Sequence, residues 1–124
     1  MSIQQMQVHN RFRFFESHSI SDLGMKVRMF TAGGAIAAKS MSLEYVESRN
    51  LYVLVLGFAE LQSGYPVKLV EVEIGPLPGD GEYDPIGQVM DAKAHEIGEV
   101  ICHDIYVDAG GVVHAVFMQT VYIG

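Results

Sequence analysis

Residues 99–118, EVICHDIYVDAGGVVHAVFM, are two apolar, β-branched runs joined at Ala109-Gly110-Gly111. Such a pattern predicts a β-hairpin, and so an antiparallel sheet class for the chain around it. It also places one histidine in each run, His103 and His114. Whether they meet depends on the turn. A two-residue loop at Ala109-Gly110 makes them diagonal neighbours on one face, about 7–8 Å apart and within reach of a shared ligand. A loop at Gly110-Gly111 separates them by four residues. A three-residue loop sends them to opposite faces, because side chains alternate along a strand.

Working outward, period-two alternation recurs in Arg11–Phe14, in Met25, Val27 and Met29 between Lys26 and Arg28, in Met41, Leu43 and Tyr45, and in Val70, Val72 and Ile74 between Glu71 and Glu73. Each is expected to be a half-buried strand. LYVLVLGFA, residues 51–59, is apolar on both faces, as a central strand should be. Ser48-Arg49-Asn50 and Ser63-Gly64-Tyr65-Pro66 supply turn chemistry between runs. Residues 35–47 fit a strand better than a helix, although their alanines suit either. Residues 85–95 read as a helix: Asp84 can cap it, Pro85 suits the first helical position, and Ile86, Val89, Met90 and Lys93 recur at helical spacing. The expected fold is mainly β, with α+β as the alternative class. It comprises seven or eight antiparallel strands in a barrel or sandwich, with at most one substantial helix, as a single domain over residues 1–124.

The chain has 124 residues, a net charge of −7 and one cysteine, Cys102. An internal disulfide is excluded, and no Cys/His spacing matches a zinc finger. No leader-like or membrane-length apolar run occurs, which points to a cytoplasmic setting. The acidic balance argues against nucleic acid or an anionic membrane as partner. Charge is unevenly spread, however: residues 1–43 carry a net +3 and residues 44–124 a net −10. Basic strands paired beside acidic ones within the chain account for this, as does a contact between the unlike surfaces of two protomers.

Sequence signatures for chemistry fail on inspection. In the acidic loop from Asp80 the sixth position of a calcium loop is Pro85, which cannot make the required turn. His95-Glu96 is not followed by a second histidine at the zinc-protease spacing. Cys102 and His103 are adjacent on a strand and point to opposite faces. Gly33-Gly34 lacks the residues of a phosphate loop and reads as a turn or bulge. No metal or cofactor is expected.

What remains is a non-catalytic β domain binding a small apolar molecule, with His103, His114, Ile105, Met41 and Tyr45 as candidate lining residues. The alternatives are a small cofactor-free isomerase or lyase using a buried histidine as base beside Asp104 or Tyr106, and a structural oligomer with no ligand. A two-fold homodimer is expected through Val113, Ala115, Phe117 and Val121, an apolar stripe on the face opposite His114. The helix at 85–95 competes for that same stripe.

Overall fold

The computed structural model describes residues 10–33, 36–60, 64–77 and 84–121. It is mainly β with two helices, in the order β1 (Asn10–Ser17), α1 (Ile20–Thr31), β2 (Ile36–Val46), β3 (Leu51–Glu60), β4 (Val67–Pro76), α2 (Asp84–Ile97), β5 (Cys102–Val107) and β6 (Val112–Thr120). The strands form two three-stranded antiparallel sheets, β1-β3-β2 and β4-β6-β5. Six strands in two sheets thus replace the expected seven or eight, and no closed barrel forms among the described residues. LYVLVLGFA is the central strand of the first sheet, and residues 36–46 are a strand, both as expected.

The main departure is α1. Alternation of Met25, Val27 and Met29 suggests a strand, but Ile20, Leu23 and Val27 recur at helical spacing and are the residues α1 buries. Ser19 caps the helix, its hydroxyl accepting from the Asp22 amide at 3.1 Å. The longer-range 3.6-residue pattern therefore outweighs a five-residue alternation. Leu23 and Val27 enter the core with Leu54, Leu56, Val116 and Met118, all of them fully buried. Phe30 packs edge-on to Phe15 and Phe58, with ring centroids 5.8 and 5.1 Å away.

Helix α2 packs on the β4 side of the second sheet. Gln119 Nε2 donates to the Ile97 carbonyl at 2.7 Å, and Val113, Ala115 and Phe117 are buried within the chain, while Val121 is half-buried. Three of the four residues expected to hold a dimer are thus already buried within one chain. On the basic side, Arg11 pairs with Glu60 at 3.1 Å, so part of the charge asymmetry is met inside the chain.

Because the two sheets do not close on each other, they leave two seams. At one, β2 lies beside β5, and the Leu43 amide donates to the Asp104 carboxylate at 2.7 Å. At the other, α1 stands between β1 and β4. There the Val67 amide donates to Thr31 Oγ1 at 3.0 Å, and Lys26 Nζ donates to the Glu16 carbonyl at 2.8 Å. No described helix is long and apolar enough to cross a membrane.

Candidate functional site

The turn between β5 and β6 settles the histidine question. Val107 pairs with Val113, the Asp108 amide donates to the Val112 carbonyl, and Gly111 adopts φ +81°, which favours glycine. Ala109–Gly111 is thus a three-residue loop, and the register sets His103 against Phe117 and His114 against Tyr106. The two histidines lie on opposite faces and form no site together. His103 and Ile105, expected to line an apolar pocket, are instead exposed on the outer face of β5, 42 % in the case of Ile105. Cys102 and Tyr106 face inward instead, with Tyr106 part of the core and Cys102 packed against it. Met41 is a core residue, and Tyr45 is half-buried.

The structure does connect Tyr45 and His114, through other residues. Tyr45, Tyr52 and Tyr106 pack together across the β2–β5 seam with centroids 4.8–6.0 Å apart, and the Tyr106 ring stacks on His114 at 4.7 Å. The Tyr106 hydroxyl donates to Glu71 Oε2. Burial first, and then the bond to Glu71, hold its phenol protonated far above the usual range. His114 Nε2 lies 2.8 Å from Asp108 Oδ2, and its Nδ1 lies 3.7 Å from Glu71 Oε2. Both ring nitrogens therefore face carboxylates, Nε2 at hydrogen-bonding distance and Nδ1 beyond it.

Asp108 is similarly occupied. It also accepts from the amides of Gly110 at 2.8 Å and Val112 at 3.0 Å, so that it closes the hairpin turn. The His114 bond first, then the Val112 amide, hold its carboxyl below the ordinary range. Asp104 accepts from the Leu43 and Ile105 amides. Burial, with a smaller contribution from Asp104, pushes the Cys102 thiol up to about 11, which makes it a poor nucleophile. Among the described residues no group of three or more His, Cys, Asp or Glu is arranged to hold a metal ion. The acidic loop weighed for calcium falls largely on residues 78–83, outside the described residues.

Two open grooves flank α1. One, of about 430 Å³, lies toward β1 and is lined by Arg13, Phe15, Lys26, Met29 and Phe30. Its cations are engaged: Arg13 sits 4.7 Å over the Phe30 ring, and Lys26 binds Glu16 and pairs with Asp22 at 3.5 Å. The other, of about 340 Å³, lies between α1 and the edge of β4, lined by Ile20, Ser21, Gly24, Met25 and Arg28 on the helix and Lys68, Leu69 and Glu71 on the strand. The Arg28 and Lys68 side chains have no ion pair or hydrogen bond among the described residues.

This second groove has a defined polarity. The Thr31–Val67 bond sets the end of α1 beside the start of β4, and a Cβ on Gly24 would lie 3.5 Å from Leu69 Cβ, so helix and strand run antiparallel. Arg28 and Lys68 thus occupy one end, Gly24, Met25 and Leu69 the middle, and Ile20, Ser21 and Glu71 the other end. Nothing local in the sequence marks this set, since its cations come from elements forty residues apart. One clue was present: Gly24 stands mid-helix, where it costs about 1 kcal/mol relative to alanine. An alanine Cβ there would meet only ordinary contacts, so packing does not demand the glycine. The chain matches no protein-family model, no curated protein and no solved structure.

Proposed function

We propose that this is a non-catalytic ligand-binding domain whose site is the groove between α1 and β4, and that its ligands carry an anionic group beside an apolar portion. The observation that carries the reading is a pair of cations, Arg28 and Lys68, unengaged among the described residues, at one end of a trough floored by Gly24, Met25 and Leu69. An anion answers the two charges, and an apolar body covers Met25, which is otherwise 61 % exposed. This reading replaces the apolar pocket expected from the sequence with an open, amphipathic groove. Arg28, Lys68, Gly24 and Met25 take the place of His103, Ile105 and Met41.

An acid–base enzyme is the weaker reading, because His114, Asp104 and Asp108 each spend their polar atoms on partners within the chain. Calorimetric titration with decanoate, decanol and decyltrimethylammonium provides the test. Decanoate is expected to bind at least tenfold more tightly than either of the others, and the double variant Arg28→Glu/Lys68→Glu is expected to reverse the preference for charge. Equal binding of all three, or decanoate affinity unchanged in the double variant, would overturn the assignment.

A further inference from the structure

The strand side of this groove is not only a row of side chains: β4 is an edge strand, and among the described residues no strand pairs with its outer side. In an antiparallel pair, successive residues direct their N–H and C=O groups alternately toward and away from the partner strand. The Val121 amide donates to the Pro66 carbonyl at 2.7 Å, so Pro66 points at β6. With Val67 opposite Thr120, Leu69 opposite Met118 and Glu71 opposite Val116, the main-chain groups of residues 67, 69 and 71 point the other way, off the free side of β4. Val67 is closed off by Thr31. Leu69 and Glu71, whose main-chain groups are likewise directed away from β6, both line the groove.

Resting on the binding reading above, we propose that the ligand is an extended peptide segment added to β4 as a fourth, antiparallel strand. Its residues would bond the amides and carbonyls of Leu69 and Glu71, the mode by which exposed sheet edges recruit chain segments. The charges fix the direction. An acidic side chain or chain-terminal carboxylate lies at Arg28 and Lys68, beside the start of β4, and a cationic or hydroxyl-bearing residue lies at Ser21 and Glu71. Since β4 runs from Val67 toward Glu71, a segment with its C-terminal end at Arg28 and Lys68 runs antiparallel to it. Glu71 keeps capacity for this contact, because its bond to Tyr106 and its approach to His114 both use Oε2. The span from Val67 to Glu71 is about 14 Å at about 3.4 Å per residue, which matches roughly four residues of an extended segment.

The decisive probe is the pentapeptide Lys-Val-Leu-Val-Asp with a free carboxylate, labelled at its N-terminal lysine through a flexible spacer and followed by fluorescence anisotropy. Two N-methylated versions accompany it, one blocking the alternate amides that face β4 and the other the amides that face away. The first is expected to lose at least tenfold in affinity and the second to stay within about twofold. The charge-reversed peptide Glu-Val-Leu-Val-Lys is expected to bind at least tenfold more weakly to the natural chain, and to recover on Arg28→Glu/Lys68→Glu. Equal loss from both methylation patterns, or failure of the peptide to bind while decanoate still does, overturns the strand-addition proposal and leaves the anionic groove standing. Failure of peptide and decanoate together overturns both.

Discussion

Where β2 meets β5, the outward amide of Leu43 is taken by the Asp104 carboxylate, and three tyrosines pack across the join. Where β4 meets α1, only Val67 is capped, and Leu69 and Glu71 open onto a groove with two unengaged cations. Both seams expose strand edges, which invite pairing with other chains unless they are covered. The first is closed by a side chain built into the neighbouring strand, and this is a structural solution. The second is held at one end and left open beyond it.

The largest effect is expected from Leu23→Ala. Leu23 is fully buried and fixes α1 in the core, so its truncation should cost about 2–5 kcal/mol in urea denaturation. A loss below 1 kcal/mol would mean that α1 is held mainly by its edge contacts, and the distinction between core anchor and open flank would collapse. Next comes Asp104→Ala, which leaves the Leu43 and Ile105 amides without their acceptor and should cost about 1–3 kcal/mol, whereas Asp104→Asn retains an acceptor and should cost less.

Acid should act on the closed regions of the molecule. Asp108 has its carboxyl held low, so the stability it contributes is complete above the unfolded value of about 3.9 and is lost as pH falls through the folded value. The denaturation midpoint is therefore expected to fall below about pH 4, and less steeply in Asp108→Asn. Identical acid limbs for the two proteins would show that the turn network does not couple to folding.

The smallest effect on stability, and the sharpest on the comparison, belongs to Gly24→Ala. Removing a mid-helix glycine should stabilise the fold by about 0.5–1 kcal/mol, because the added methyl makes only ordinary contacts. It should at the same time weaken decanoate and peptide binding by narrowing the groove floor. Gain of stability with unchanged affinity would remove Gly24 from the site.

Much of the β framework was legible because alternation and turn chemistry are local: residues 36–46, 51–60 and 102–120 all take the expected form. Helix α1 was legible too, in Ser19, Asp22 and the spacing of Ile20, Leu23 and Val27, but the short Met25–Met29 alternation masks it. The histidine pair was not decidable, since one residue in the length of a glycine-rich loop inverts a whole strand face. Arg28 with Lys68, and Glu71 with Tyr106, were out of reach for a different reason: each pair is assembled by topology from segments that carry no shared motif.

Amide hydrogen exchange compares the two seams most directly, residue by residue and in one experiment. Leu43 N–H, bonded to Asp104, is expected to be strongly protected in the free protein, while Leu69 and Glu71 N–H exchange close to unprotected rates and become protected when the pentapeptide is added. Protection of Leu69 and Glu71 equal to that of Leu43 before any ligand is present would contradict the reading of β4 as an open edge.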